Sequence, residues 1–139
     1  MKFITAVLFF IFATGATAAT DKDTSLKSLA IHVSTAAKNI ASDAAKMQFS
    51  DNSLKARLAL NLRVDKLTEE AKPLGLAFDK PYGRCGTMVK NLYDFIEVAA
   101  GISKTPITYV DMYRDSERWC TSQINGDDES DKDTAILHL

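Results

Sequence analysis

The strongest constraint on the fold is a pair of cysteines, because the chain of 139 residues contains no others. Cys85 lies in the stretch YGRCG and Cys120 in the stretch SERWC, and both stretches adjoin segments with helical apolar spacing. A turn predicted near Ser103 divides the interval almost equally, since Cys85 lies 18 residues before it and Cys120 lies 17 residues after it. Two antiparallel helices with the same rise per residue therefore place both cysteines at the same height. We expect a Cys85–Cys120 disulfide at the open end of a helical hairpin.

Other uses of the two cysteines fit the sequence less well. A metal site needs further ligands, and the two histidines, His32 and His138, are far from either cysteine in sequence. A redox motif of the C-x-x-C type is absent, and a cysteine nucleophile needs a neighbouring base, for which His32 is the lone candidate. We expect a structural disulfide, and closing a loop of this length contributes about 3–4 kcal/mol to the free energy of unfolding on the chain-entropy view.

The first twenty residues, MKFITAVLFFIFATGATAAT, have the layout of a cleaved secretory signal. Lys2 precedes an apolar run over residues 3–13, and Ala16 and Ala18 occupy the positions that signal peptidase reads. The run is shorter than the about 20 apolar residues of a membrane-spanning helix. We therefore expect residues 1–19 to be removed on export, with cleavage after Ala18 or Ala19, and we expect no stable membrane insertion. The periplasm is the predicted compartment, and the extracellular medium is the alternative.

Apolar residues recur at steps of three and four along most of the remaining chain, which is the spacing of amphipathic helices. Residues that end or begin helices separate these segments: Pro73 and Gly75, then Gly101 as a C-terminal cap, then Pro106 at a first helical position. The predicted helices cover residues 26–49, 54–71, 82–100 and, after Thr105 as N-cap, 106–124. Short connections without strand-like alternation predict an all-α, up-and-down four-helix bundle in which the disulfide joins the third and fourth helices.

The second predicted helix and the connection after it carry finer expectations. The helix has two apolar ridges, Leu54, Leu58 and Leu62 on one and Leu60, Val64, Leu67 and Ala71 on the other. Together they predict an apolar face that packs against more than one neighbour. The connection LGLAFDKPYG, residues 74–83, is expected to lay its apolar residues on the core. Gly83 and Gly86, on either side of Cys85, indicate a close approach of two backbones at the disulfide.

Three segments follow from these patterns: residues 1–19 as the signal, residues 20–126 as a single helical domain, and residues 127–139 as an acidic tail. About 120 residues are enough for one domain with one core. The tail begins with DDESDKD, a composition that cannot bury enough apolar surface to fold. We expect its deletion to leave stability unchanged. Docking of Ile136, Leu137 and Leu139 on this chain or on a partner is the alternative.

The sequence contains no pattern that points to catalysis, a cofactor or a metal. His32 lies near the edge of the apolar stripe of the first helix, where an ordinary boundary position explains it. Asp94 and Glu97 are one helical turn apart, in a half of the chain whose alternating charges are typical of a solvated face. A net charge of −1 argues against a nucleic-acid partner, which needs a basic face. We expect no enzymatic activity, no cofactor and no metal site.

The four tyrosines and the single tryptophan all lie in the half of the chain that holds the cysteines. Tyrosine, tryptophan and arginine are enriched at protein interfaces because each combines an apolar body with a polar tip. The predicted partner-binding patch consists of Tyr82, Arg84, Tyr93, Arg114, Arg118 and Trp119. The alternative is that these rings fill the core around the hairpin, with their polar tips at its rim.

These features predict a small exported, non-catalytic protein-binding module, of the immunity, inhibitor or assembly type in the bacterial periplasm. Its partner would be another protein, such as a toxin, an enzyme or an envelope component. Three alternatives stay open. The first is a secreted effector that acts outside the producing cell, and the second is a carrier that holds a small apolar ligand beside the alanine-rich first helix. The third is an enzyme, whose activity would be abolished by substitution of an acidic residue or of His32.

Overall fold

The computed structural model describes residues 17–47, 53–79, 81–102 and 106–127. Helix α1 spans Thr17–Met47, α2 spans Ser53–Ala71, α3 spans Gly83–Ala99 and α4 spans Pro106–Asn125, and a 3-10 turn, Lys72–Leu74, follows α2. No strand occurs within these ranges, and the predicted all-α four-helix bundle is confirmed. Most of the predicted signal and most of the predicted tail, residues 1–16 and 128–139, lie outside the described residues.

Helix α1 begins nine residues before the start that the apolar spacing predicts, at residue 17 rather than 26. The side chains from Asp21 to Ser25 are all exposed, and the first buried side chain of residues 21–47 is Ala30. Apolar periodicity reports the part of a helix that packs against a neighbour. Residues 21–25, whose side chains are exposed, therefore show no such pattern. The predicted cleavage positions after Ala18 and Ala19 fall within the first turn of α1.

Helices α1 and α3 form the centre of the bundle, because each of them packs against all three other helices. Helices α2 and α4 lie on opposite flanks of this pair and have no contact with each other within the described ranges. Buried alanines of α1, among them Ala30, Ala37 and Ala44, allow the neighbouring helices to approach closely. The core is completed by larger side chains that are fully buried: Val33, Val64, Met88, Val89, Leu92 and Ile96.

Helices α3 and α4 pair in the register that the cysteine spacing predicts. A disulfide joins Cys85 to Cys120, whose Cα atoms lie 4.5 Å apart, and both side chains are fully buried. Farther along the hairpin, the rings of Phe95 and Tyr113 meet with their centroids 4.9 Å apart. The predicted link between the third and fourth helices is confirmed.

A glycine ends each helix of this hairpin. At Gly101, where φ is 73°, the N–H of Ile102 donates to the carbonyl oxygen of Glu97 at 3.0 Å. This is the Schellman motif, in which a residue with positive φ reverses the chain and satisfies the last carbonyl groups. Gly126, with φ of 80°, ends α4 in the same way. The predicted cap at Gly101 is confirmed, and Pro106 is the first residue of α4 as expected.

Ion pairs join α2 to the two helices of the central pair. Arg57 Nη1 lies 3.1 and 2.9 Å from the two carboxylate oxygens of Glu97 on α3, and both side chains are half-buried. Arg63 Nη1 lies 2.7 Å from Asp43 Oδ2 on α1. The hydrogen bond from Arg63 holds the pKa of the Asp43 carboxyl below its usual value, although burial acts in the opposite direction.

The two leucine ridges of α2 have different environments. The ridge of Leu60 and Val64 is buried in the core, whereas Leu54, Leu58 and Leu62 are exposed. The expectation that both ridges would pack is therefore corrected. Helices α1 and α3 both meet α2 on its buried side, and α4 lies on the far flank of the bundle, where it cannot cover the outer leucines.

Candidate partner-binding surface

The connection between α2 and α3 forms a tight turn over residues 75–79. Gly75 has a φ of 75°, and the N–H of Leu76 donates to Asp79 Oδ2 at 2.7 Å. The N–H of Asp79 donates back to the carbonyl oxygen of Leu76 at 2.8 Å, and the N–H of Gly83 donates to the carbonyl oxygen of Asp79 at 2.9 Å. Three hydrogen bonds through Asp79 thus hold the turn and tie it to the start of α3.

Two glycines of α3 bring this turn directly onto the helix. A Cβ atom at Gly83 would lie 1.7 Å from the carbonyl oxygen of Leu76, and one at Gly86 would lie 1.9 Å from the carbonyl oxygen of Gly75. No side chain fits at either position without displacing the backbone of the turn. The close approach expected at Gly83 and Gly86 is confirmed, but the neighbouring backbone is the 75–79 turn rather than the chain at the disulfide.

The 75–79 turn presents two apolar side chains to solvent. Phe78 is 94% exposed and Leu76 is 56% exposed, whereas Leu74 before them and Tyr82 after them are buried. The expectation that the whole connection lies on the core is therefore wrong for Leu76 and Phe78. The hydrogen bonds of Asp79 curl the chain outward between two buried residues, so the residues at the tip of the turn have no core to face.

A groove opens beside the turn, between the end of α2 and the first half of α3. Its volume is about 350 Å³, and its walls are mostly apolar. Ala71, Gly86 and Val89 form buried parts of the lining, Gly75 is half-buried, and Leu76 forms one edge. The remaining lining residues are Thr68, Lys72, Lys90 and Tyr93. We call this the α2/α3 groove; its volume is within the range of about 300–1,000 Å³ that is typical of ligand pockets.

Tyr93 closes one side of the α2/α3 groove. Its hydroxyl donates a hydrogen bond to Asp65 Oδ1 on α2. This hydrogen bond, followed by burial, raises the pKa of the Tyr93 phenol above its usual value, because both favour the protonated form. Tyr93 therefore remains a neutral donor that ties the two walls of the groove together.

Arg84 and Trp119, two of the six residues of the predicted patch, are in contact. The guanidinium carbon of Arg84 lies 4.6 Å from the ring centroid of Trp119, which is half-buried on α4. Such a cation–π contact contributes about 0.5–1 kcal/mol at an exposed site. The backbone N–H of Arg84 also donates to Gln123 Oε1 at 3.0 Å. These contacts lie next to the disulfide and reinforce the pairing of α3 with α4.

The other four residues of the predicted patch have different environments. Tyr82 is 6% exposed, and burial raises the pKa of its phenol. Tyr93 faces α2, on the flank of the bundle opposite α4. Arg114 is exposed, and Arg118 pairs with Asp115 one turn earlier on α4 at 3.4 Å. The six residues do not form one continuous surface among the described side chains.

The residues considered for catalysis lie in ordinary surface positions. His32 Nε2 lies 3.2 Å from Glu70 Oε2, at the edge of an open, charged depression of about 300 Å³ between α1 and α2. The carboxylate of Glu97 is paired with Arg57, and Asp94 is exposed. Within the described residues, no group of three His, Cys, Asp or Glu side chains is placed to hold a metal ion.

Among the described residues, no helix is both long enough and apolar enough to cross a membrane. In comparisons with known protein families, curated proteins and solved structures, the chain matches none.

Proposed function

We propose that this protein is a small exported, non-catalytic module that binds another protein through the 75–79 turn and the adjoining α2/α3 groove. The observation that carries the proposal is Phe78, which is 94% exposed on a turn whose backbone is held by hydrogen bonds and glycine contacts. Burial of such a ring contributes about 1.5–3 kcal/mol. Little ordering cost opposes this gain, because the turn is already in place.

The expected partners are those that the sequence suggests: a toxin or enzyme that the protein neutralises, or an envelope component that it helps to assemble. Export is supported by the signal-like first twenty residues. The Cys85–Cys120 disulfide also supports it, since such bonds persist in oxidising compartments. The periplasm is the proposed site of action, and a secreted effector that acts outside the producing cell is the alternative.

The test is affinity capture with three oxidised, C-terminally tagged baits from the native envelope and culture medium. The first bait is the wild type, and the second carries Leu76→Ser and Phe78→Ser. The third carries Ile31→Ser and Met112→Ser, two exposed apolar positions outside the turn and the groove. We expect one stoichiometric protein with the first and third baits and its loss with the second.

Equal recovery of the partner with all three baits would remove the 75–79 turn from the binding surface. The absence of any stoichiometric protein would contradict the binding-module function itself. Melting temperatures of the three baits should agree within a few degrees, because all four substituted side chains are exposed. Intact mass of the recovered wild type also reports whether the chain was cleaved after Ala18 or Ala19.

A carrier of a small apolar ligand is the second candidate function, and the volume and apolar lining of the α2/α3 groove favour it. Native mass spectrometry of the wild type from its native source distinguishes the two functions. A carrier would show a discrete added mass below that of any protein, and Thr68→Phe, which places a larger side chain in the groove, would abolish it.

A further inference from the structure

We propose that the α2/α3 groove receives one large apolar side chain from a polypeptide segment of the partner, and that an acidic residue beside this side chain pairs with Lys90. This inference rests on the proposed binding function and specifies the chemistry of the partner. It concerns the groove residues Ala71, Val89, Leu76 and Lys90, together with Phe78 on the adjacent turn.

The groove is preformed, because the backbone sets its shape. Gly75 and Gly86 are in backbone contact at its lining, so the distance between the turn and α3 does not depend on flexible side chains. Ala71 and Val89 are small enough to leave a depression where they are buried. An apolar side chain that enters this depression loses water on most of its surface, which is the main favourable contribution at protein interfaces.

The position of the turn favours a polypeptide over a small molecule. Leu76 is both an edge of the groove and an exposed residue of the turn, and Phe78 lies two residues farther on. The apolar surface therefore continues beyond the groove along the turn. A small ligand in the groove would leave Phe78 in water, whereas a segment of several residues covers both features.

The charges at the groove favour an acidic neighbour for the inserted side chain. Lys72 is paired with Glu69, and the carboxylate of Asp65 accepts the hydrogen bond of Tyr93. Lys90 is exposed and has no ion pair among the described residues. The unpaired charge that lines the groove is therefore positive. A carboxylate next to the inserted side chain complements it and raises the rate of association, which then falls with added salt.

The experiment is selection of binders from a displayed library of random twelve-residue peptides on the oxidised protein. Peptides that also bind the Leu76→Ser/Thr68→Phe variant are discarded, since a larger side chain at Thr68 fills the groove from its α2 wall. We expect the retained peptides to share one large apolar residue with Asp or Glu within two positions of it. Synthetic versions should perturb the amide NMR signals of residues 68–76 and 86–93.

Charge reversal tests the role assigned to Lys90. Lys90→Glu should weaken the selected peptides about fivefold, as expected for a surface ion pair. Lys55→Glu makes the same charge change at an exposed position of α2 outside the groove, and it should leave their affinity unchanged. Selection of basic or uncharged flanks, or equal affinities for the two variants, would overturn the proposed pairing.

Two further outcomes would count against a separate partner segment. Peptides that bind only outside residues 68–93 would show that the groove is not the site. A peptide that reproduces residues 127–139 also combines carboxylates with leucines. If removal of these residues from the protein strengthened peptide binding more than tenfold, the groove would belong to the chain's own segment. A partner whose capture requires Phe78 but whose affinity is unchanged by Lys90→Glu would support the binding function and contradict this inference alone.

Discussion

Gly86 shows how a single residue sets the geometry of the candidate site. It lies inside α3, where alanine is intrinsically favoured over glycine by about 1 kcal/mol. A Cβ atom there would nevertheless lie 1.9 Å from the carbonyl oxygen of Gly75, which belongs to backbone rather than to a flexible side chain. The contact between turn and helix therefore excludes every residue except glycine at this position.

Replacement of Gly86 by alanine tests this contact. We expect Gly86→Ala to lower the free energy of unfolding by about 1–3 kcal/mol, since overpacking outweighs the gain in helix propensity. Urea denaturation measures the change. Asp94→Ala, at an exposed position of the same helix, is the control and should be neutral or slightly stabilising. A stabilised Gly86→Ala protein would mean that the turn does not rest on α3.

Tyr93 provides a second test at the residue scale. Removal of its hydroxyl in Tyr93→Phe loses the hydrogen bond to Asp65 and should lower the free energy of unfolding by about 1 kcal/mol at neutral pH. The pKa of Tyr93 is raised in the folded protein, from a usual value of 10.0. The contribution of the protonated Tyr93 hydroxyl to the free energy of unfolding is therefore fully present below about pH 10, and it disappears as the pH rises through the folded-state pKa.

The measurement compares the wild type with Tyr93→Phe by urea denaturation between about pH 8 and about pH 11. The difference in unfolding free energy should shrink toward the upper end of this range. Other tyrosines and lysines that titrate there are common to both proteins and cancel in the difference. A difference that stays constant with pH would show that Asp65 and burial do not act on Tyr93 as described.

At the scale of elements, α2 is the helix whose two apolar ridges have opposite roles. Its buried ridge faces α1 and α3, whereas its outer leucines face solvent. We expect Leu67→Ala on the buried ridge to lower the free energy of unfolding by about 2–5 kcal/mol. The same change at Leu62, which is 69% exposed, should alter it by less than about 0.5 kcal/mol.

Urea denaturation of the two variants makes this comparison with identical chemistry at both positions. A large loss for Leu62→Ala would mean that the outer ridge is covered in solution. Repeating the measurement over a range of protein concentrations would then distinguish coverage by a second copy from coverage within one chain.

At the scale of the whole molecule, the disulfide limits the freedom of the unfolded chain. Cys85 and Cys120 are separated by 35 residues, and closing a loop of that length stabilises the folded state by about 4 kcal/mol on the chain-entropy view. Reduction should therefore lower the melting temperature by well over about 10 °C. A Cys85→Ala/Cys120→Ala protein should melt near the reduced wild type, and reductant should not affect it.

Calorimetry of the wild type and of the double variant, each with and without reductant, measures these melting temperatures. A thiol assay should detect no free thiol in the oxidised wild type. A decrease of only one or two degrees on reduction would contradict the stabilising role of the bond. In that case the pairing of α3 with α4 would depend on contacts such as Phe95 with Tyr113 and Arg84 with Trp119.

The amino-acid sequence alone was enough to predict the hairpin of α3 and α4. Its register follows from the equal rise per residue of two helices, so counting from the turn pairs Cys85 with Cys120. Its ends follow from local backbone chemistry, since Gly101 accepts a positive φ and Pro106 suits a first helical position. These are properties of a residue and its immediate neighbours along the chain.

The tertiary structure alone decided which apolar side chains face water. Spacing places Leu54, Leu58 and Leu62 on one ridge of α2 but does not say which ridge meets a neighbour, and that depends on where α1, α3 and α4 lie. The exposure of Leu76 and Phe78 likewise depends on the 75–79 turn resting on the glycines of α3. Whether a side chain is buried depends on contacts between segments that are distant in sequence, so local apolar spacing does not predict it.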